Sequence, residues 1–219
     1  MADLPFELTE PLAQRLRAAA DIEGKIPRAL EALGPLAARR VGLLDVPRGP
    51  LRDTLSTGAA EVAAVACTAP LVIDRPDGSL DTIVSLWSAF RGVDDADLAE
   101  ADRVLAAEGR LLVVHDYGRD EVSELVEPDA PQYGTWSRRE GPFLHGGGFK
   151  IRVLHCFWTF ASVEDARTFL AEAFGERGAT VGERLKRPRL SWNVAVYHRW
   201  RGGVPPAELA EPAGHPANA

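Results

Sequence analysis

Cysteine, methionine and long apolar runs are scarce in this chain of 219 residues, and each shortage excludes something. The two cysteines, Cys67 and Cys156, lie far apart and outside any CxxC spacing, so neither a disulfide framework nor a structural zinc is indicated. No apolar run approaches the roughly 18 residues of a membrane span, and the acidic first residues lack the apolar core of a secretory signal. No membrane partner is expected, and a reducing cytoplasmic setting is. Positive charge is also short. A net charge of −7 argues against non-specific nucleic-acid binding, which needs a basic surface to displace counterions. The His, Cys, Asp and Glu spacings match no compact ligand motif, and no metal is expected.

What is present is enough apolar material, 46% of the residues, to bury one sizeable domain. Thr9-Glu10-Pro11 opens a helix with Leu12, Leu16 and Ala19 on one face, and a second starts near Ile26-Pro27 and stops at Gly34-Pro35. Residues 1–36 read as a helical flank or lid. A main domain over 37–201 follows. Strands are expected at Val41 to Val46 and Glu61 to Ala66, with a short helix from Leu51 to Thr57 between them. Leu71 to Ile73 reads equally as a very short strand or an extended loop. Leu80 to Leu86 and Leu111 to Val114 are apolar as in strands covered on both faces, and a helix running from Asp94 towards a stop at Gly109 joins them into a βαβ unit. Lys150 to Phe160 and Ser191 to Trp200 alternate as strands and flank a helix that begins with a capping box at Ser162-Val-Glu-Asp165. They would close the sheet at one edge.

Between the βαβ unit and Lys150, residues 118–149 lose all periodicity but carry Tyr133 and Trp136, which favour an ordered substrate flap or a subunit contact rather than simple disorder. The Pro/Ala/Gly-rich tail over 202–219 is expected to be disordered. Open α/β sheets bind ligands at the carboxyl ends of their strands. Trp87 and Ser88 fall at one such end, and His115, Asp116 and Tyr117 at the next. His115 is the expected base, Asp116 its orienter and Tyr117 a pocket wall.

Two phrases, Pro76-Asp-Gly-Ser-Leu-Asp81 before one strand and Glu100 to Gly109 with Arg103-Val-Leu105 before the next, resemble class I S-adenosylmethionine-dependent methyltransferases over roughly Ala37 to Trp200. The resemblance implies a Rossmann-like α/β sheet, mostly parallel with an antiparallel edge strand and helices on both faces. It also implies S-adenosylmethionine as cofactor, held by Asp45, Gly49, Trp87 and Ser88, with Tyr117, Tyr133 and Trp136 against a small-molecule acceptor. Three departures fall in the cofactor half. The turn after Asp45 reads Val46-Pro47-Arg48-Gly49-Pro50, where the family has glycines that let the backbone approach the cofactor. Val62 to Thr68 contains no carboxylate for the ribose hydroxyls. Only 36 positions separate Asp45 from Asp81, too few for two βα units, so about one unit is missing. Two readings stand: a small-molecule methyltransferase, or a catalytically degenerate protein of the same fold serving as a homodimeric interaction module.

Overall fold

A computed structural model describes residues 4–34, 36–45, 50–66, 68–90, 93–126 and 136–205. Gly49, Tyr133, Cys67 and the tail beyond 205, all singled out above, lie outside the described residues. Two helices, α1 (Glu10–Ala19) and α2 (Lys25–Leu33), precede β1 (Arg40–Leu44), α3 (Pro50–Ser56) and β2 (Glu61–Val65). Then come β3 (Leu80–Leu86), α4 (Asp95–Val104), β4 (Leu105–Asp116), β5 (Lys150–Thr159), α5 (Val163–Arg184) and β6 (Arg189–Trp200).

The six strands form one sheet in the order β2-β1-β3-β4-β6-β5. Pairing from β2 through β4 is parallel, whereas β6 runs antiparallel between β4 and β5 and makes that end of the sheet antiparallel. Connections leave β1 towards β2 on one side and return to β3 on the other, so the point where the order reverses lies between β1 and β3.

The missing βα unit has a physical replacement. Among the described residues, 66–79 contain no helix or strand. The chain instead lies extended along α4, whose carboxylates stand in for a neighbouring strand. Asp97 accepts the Leu71 N–H at 2.9 Å and Glu100 the Ile73 N–H at 2.7 Å. Arg103 donates to the carbonyls of Ile73 and Arg75 and to Asp77. Leu71 and Ile73 are buried beneath it, which settles their segment as loop. The family phrases therefore do structural work here. Asp81 takes Arg40 in a two-pronged ion pair that clamps the starts of β1 and β3 together.

Helix α4 ends at Val104 and not near Gly109, because Leu105 turns extended and pairs with Leu80 across an irregular step in the β3–β4 register. Gly109 is tightly enclosed in that step: a Cβ there would sit 2.9 Å from both the Ala106 carbonyl and the Leu105 side chain. Ser162 caps its helix as the sequence suggests, its hydroxyl accepting the Asp165 N–H, while the Asp165 carboxylate reaches one residue further back to accept the Ala161 N–H. Thr9, by contrast, makes no side-chain cap. Asp21 supplies the cap that the sequence did not advertise, accepting the N–H groups of Lys25 and Ile26 at the start of α2.

The sheet is covered differently on its two faces. Helices α1, α2 and α5 bury one face around Trp158, Trp192, Leu112 and Val196. On the other, α4 shares the cover with the extended 71–73 segment and with Trp136, Phe143 and Phe149 of the 118–149 connection. Phe143 stacks on Tyr197 at 3.9 Å between ring centres. Arg199 fixes this second cover, donating to the Gly147 carbonyl and pairing with Asp102 of α4 at 2.7 Å. Among the described residues no helix is long and apolar enough to cross a membrane.

Candidate functional site

Strand alternation decides where the expected site residues go. Asp116 belongs to the helix-covered face, where its Oδ1 accepts the indole N–H of Trp192 at 2.8 Å and that of Trp87 at 3.2 Å. The two indoles lie nearly parallel, 5.5 Å apart. His115, one residue earlier, points to the opposite face. It is fully buried there, with its Nε2 at 3.3 Å from the Phe90 carbonyl and its ring edge-on to Trp136 at 4.8 Å. Asp116 therefore does not orient His115. Tyr117 and Trp136 share the face of His115, half-buried and buried respectively, so these three are brought together as packing around Phe143.

Asp45 and Ser88 occupy a third place, at the carboxyl ends of β1 and β3. Asp45 has a left-handed backbone, φ 53°, and its N–H goes to the Val65 carbonyl. The Ser88 hydroxyl lies 3.3 Å from the Leu44 carbonyl and 3.1 Å from the Ser85 hydroxyl, which also accepts the Ala89 N–H. These bonds span the gap between β1 and β3, where the sheet order reverses. Trp87 and Phe90 then turn away to opposite faces with φ of 50° and 59°, each 2% exposed. Both fill protein core.

The described residues do not fit S-adenosylmethionine held in the manner the resemblance implies. The end of β2 offers Val65 and Ala66, neither of which can accept ribose hydroxyls. The β1–β3 gap is bridged by Ser88, and the two aromatics that could have stacked on an adenine are buried among the protein's own side chains.

A real opening lies nearby, and only part of it was legible. A cavity of about 320 Å³ sits at the carboxyl side of the sheet, between the N-terminal helices and the indole pair, lined in part by Arg17, Asp21, Ile26, Thr54, Trp87 and Trp192. Its roof is held open by the turn between α1 and α2, which is tied to the outer edge of β5. Ala20 bridges to Trp158, the Asp21 N–H donates to the Phe157 carbonyl, and Lys25 donates to the His155 carbonyl. The same bonds cover an exposed strand edge. The floor is rigid because Asp116 pins both indoles. Mostly apolar walls with a few convergent polar groups are the usual makeup of a small-molecule site. Arg17, Asp21 and Trp192 were missed as site residues. The signal for Trp192 was its place on the same alternating face as Val194; nothing in the sequence placed α1 over it.

Neither a protein-family profile nor a curated protein matches the sequence. Among solved structures, the chain is similar to the YcgJ protein from Bacillus subtilis, at 17% identity over 80% of this chain and 95% of that one, with a TM-score of 0.45. A similar S-adenosylmethionine-dependent methyltransferase from Aquifex aeolicus shares 15% identity over 85% and 97% of the two chains, TM-score 0.42. A phosphoethanolamine N-methyltransferase from Haemonchus contortus, in complex with S-adenosylhomocysteine, shares 15% over 78% and 52%, TM-score 0.44. These likenesses concern the path of the chain. Strand order and direction make a Rossmann-like α/β sheet, parallel from β2 through β4 with an antiparallel edge.

Proposed function

We propose that this chain is a methyltransferase-like protein whose working site is the indole-walled cavity under α1 and α2, where it binds a small, flat, largely apolar molecule. The observation that supports the reading is the cavity itself: a pre-formed space at the ligand-binding end of the sheet, with Trp87 and Trp192 fixed by one buried carboxylate. Flat ligands gain from such walls by offset or edge-on ring contact. Arg17, which pairs with Glu10, and Asp21, whose carboxylate caps α2, place one cation and one anion at the rim to bias the orientation of a polar end.

Methyl transfer from S-adenosylmethionine to such a molecule is the finer reading; it requires the cofactor to be held near Asp45 and Ser88 by contacts other than those the resemblance implies. His115 and Asp116 cannot serve it as a paired base and orienter, since they face opposite sides of the sheet. The interaction-module reading would draw on exposed indoles, but Trp136, Trp158 and Trp192 are at most 9% exposed, and Trp200 is only partly exposed with the Arg110 guanidinium over its ring.

Calorimetry and tryptophan fluorescence separate these outcomes. Indole- and quinoline-type fragments should bind and quench fluorescence in the wild type and bind at least about tenfold more weakly to Trp192→Leu. Failure of every flat fragment to bind at millimolar concentration overturns the cavity as the site. S-adenosylhomocysteine binding with micromolar affinity, lost in Asp45→Ala and kept in Trp192→Leu, would instead make the β1–β3 end the working site.

A further inference from the structure

At the other end of the same sheet face, the strands bring together three cations and an imidazole that form no ion pair among the described residues. Arg110 of β4 stands opposite Trp200 of β6, and Lys150 of β5 stands opposite His198 of β6. Arg110, His198, Lys150 and Arg152 share the side of Leu112, Val196 and Leu154, on neighbouring rungs. Direct cross-strand neighbours have Cβ atoms about 5 Å apart and diagonal ones about 7 to 8 Å; His198 is directly opposite Lys150 and diagonal to Arg110 and Arg152, so the three long side chains surround the imidazole.

Several arginines of this acidic chain, Arg15, Arg17, Arg40, Arg75, Arg103, Arg184 and Arg199, each pair with a carboxylate. Arg110 has no such partner among the described residues. Its guanidinium carbon lies 3.1 Å from the centre of the Trp200 ring, and its buried Nε has no hydrogen-bond partner. Lys150 and Arg152 are exposed beside it, and neither enters an ion pair among the described residues. Burial, then the charges of Arg110, Lys150 and Arg152, push the His198 imidazole down to about 4. From α2, Arg28 and Glu31 are otherwise engaged, by the Glu23 carbonyl and the Leu36 N–H.

We infer that Arg110, Lys150, Arg152 and His198 form a binding site for a small phosphate-bearing anion, at the amino end of β5 and the carboxyl end of β6, away from the indole-walled cavity. An oligophosphate supplies several charged acceptors, each able to take a donor that has none now, and guanidinium groups match phosphate oxygens in pairs. The patch spans only three neighbouring strands on a chain of net charge −7, which suits a compact anion better than a nucleic-acid backbone.

Inorganic pyrophosphate is the probe, read by calorimetry and by NMR of the His198 ring. Saturable binding is expected, weakening at least about tenfold in the double variant Lys150→Gln, Arg152→Gln, whose side chains are exposed and leave the core intact. Bound pyrophosphate should also raise the His198 titration midpoint. Absence of saturable binding below about 5 mM overturns the site. Equal affinity in the double variant, or an unmoved His198 midpoint, does the same. Competition by a single-stranded oligonucleotide at far lower concentration would overturn the small-anion assignment in favour of a nucleic-acid surface.

Discussion

The two faces of the sheet solve the same burial problem by different means. On one, α1, α2 and α5 lay ordinary amphipathic stripes over Trp158, Trp192 and the aliphatic residues of β4 and β6. On the other, α4 covers only part of the sheet. The remainder is roofed by extended chain that cannot satisfy its own backbone and is held by Asp97, Glu100, Arg103 and Arg199. A helical cover brings its own hydrogen bonds and can leave space beneath it, which is where the cavity lies. A loop cover must be pinned down by side chains, and His115, Tyr117 and Trp136 are packed within it. The helical face can therefore host a ligand, and the other is occupied by its own roof.

Matched truncations should break this comparison first. Trp158→Ala, at a fully buried ring among Phe6, Phe169, Phe174 and Trp192, is expected to cost about 4 kcal/mol in urea unfolding. Phe143→Ala removes a ring equally buried, yet about 3 kcal/mol is expected, with the first sign being faster hydrogen exchange of amides 136–148. Equal costs with unchanged local exchange would mean that both covers unfold as one unit.

Asp116 sharpens the comparison at the floor of the cavity. Asp116→Leu strands two buried indole N–H groups and should cost about 2 to 3 kcal/mol. Asp116→Asn keeps an acceptor oxygen, so about half that loss and a nearly native tryptophan emission maximum are expected. Identical behaviour of the two variants would show that the carboxylate does not hold the indoles.

The smallest effect is electrostatic and belongs to the loop-covered face. The Arg103 guanidinium holds the Glu100 carboxyl down at about 2, and Arg40 lowers that of Asp81. A carboxyl whose folded value lies below its unfolded one adds stability above the unfolded value and loses it as pH falls towards the folded one. Between about pH 4.5 and pH 2 the wild type should therefore lose stability that Glu100→Gln has already lost. A partly exposed pair of this kind is worth about 1 kcal/mol. Urea midpoints across that window check it, and parallel curves would remove Glu100 from the roof's support.

Most of the fold was legible because its signals are local. Period-two alternation over Ser191 to Trp200 and the apolar cores of β3 and β4 mark strands wherever they end up in space. The shortened interval from Asp45 to Asp81 correctly announced a lost βα unit. The site was much less legible. His115 and Asp116 are consecutive in a strand, and the pleat that makes the strand recognisable is what sends them to opposite faces. Trp192 follows Trp87 by 105 positions, and only the β4–β6 register sets its indole beside the same carboxylate.

By itself, then, the sequence determined the elements, their order and the absent unit, since each depends on residues within a few positions of one another. Tertiary structure alone decided that Trp87 and Trp192 share Asp116, that α1 and α2 hang from the edge of β5 and leave a cavity, and that four basic positions fall on neighbouring rungs. Those outcomes depend on strand register and on which face each side chain takes. They are set by how separate elements pack, and no local pattern encodes them.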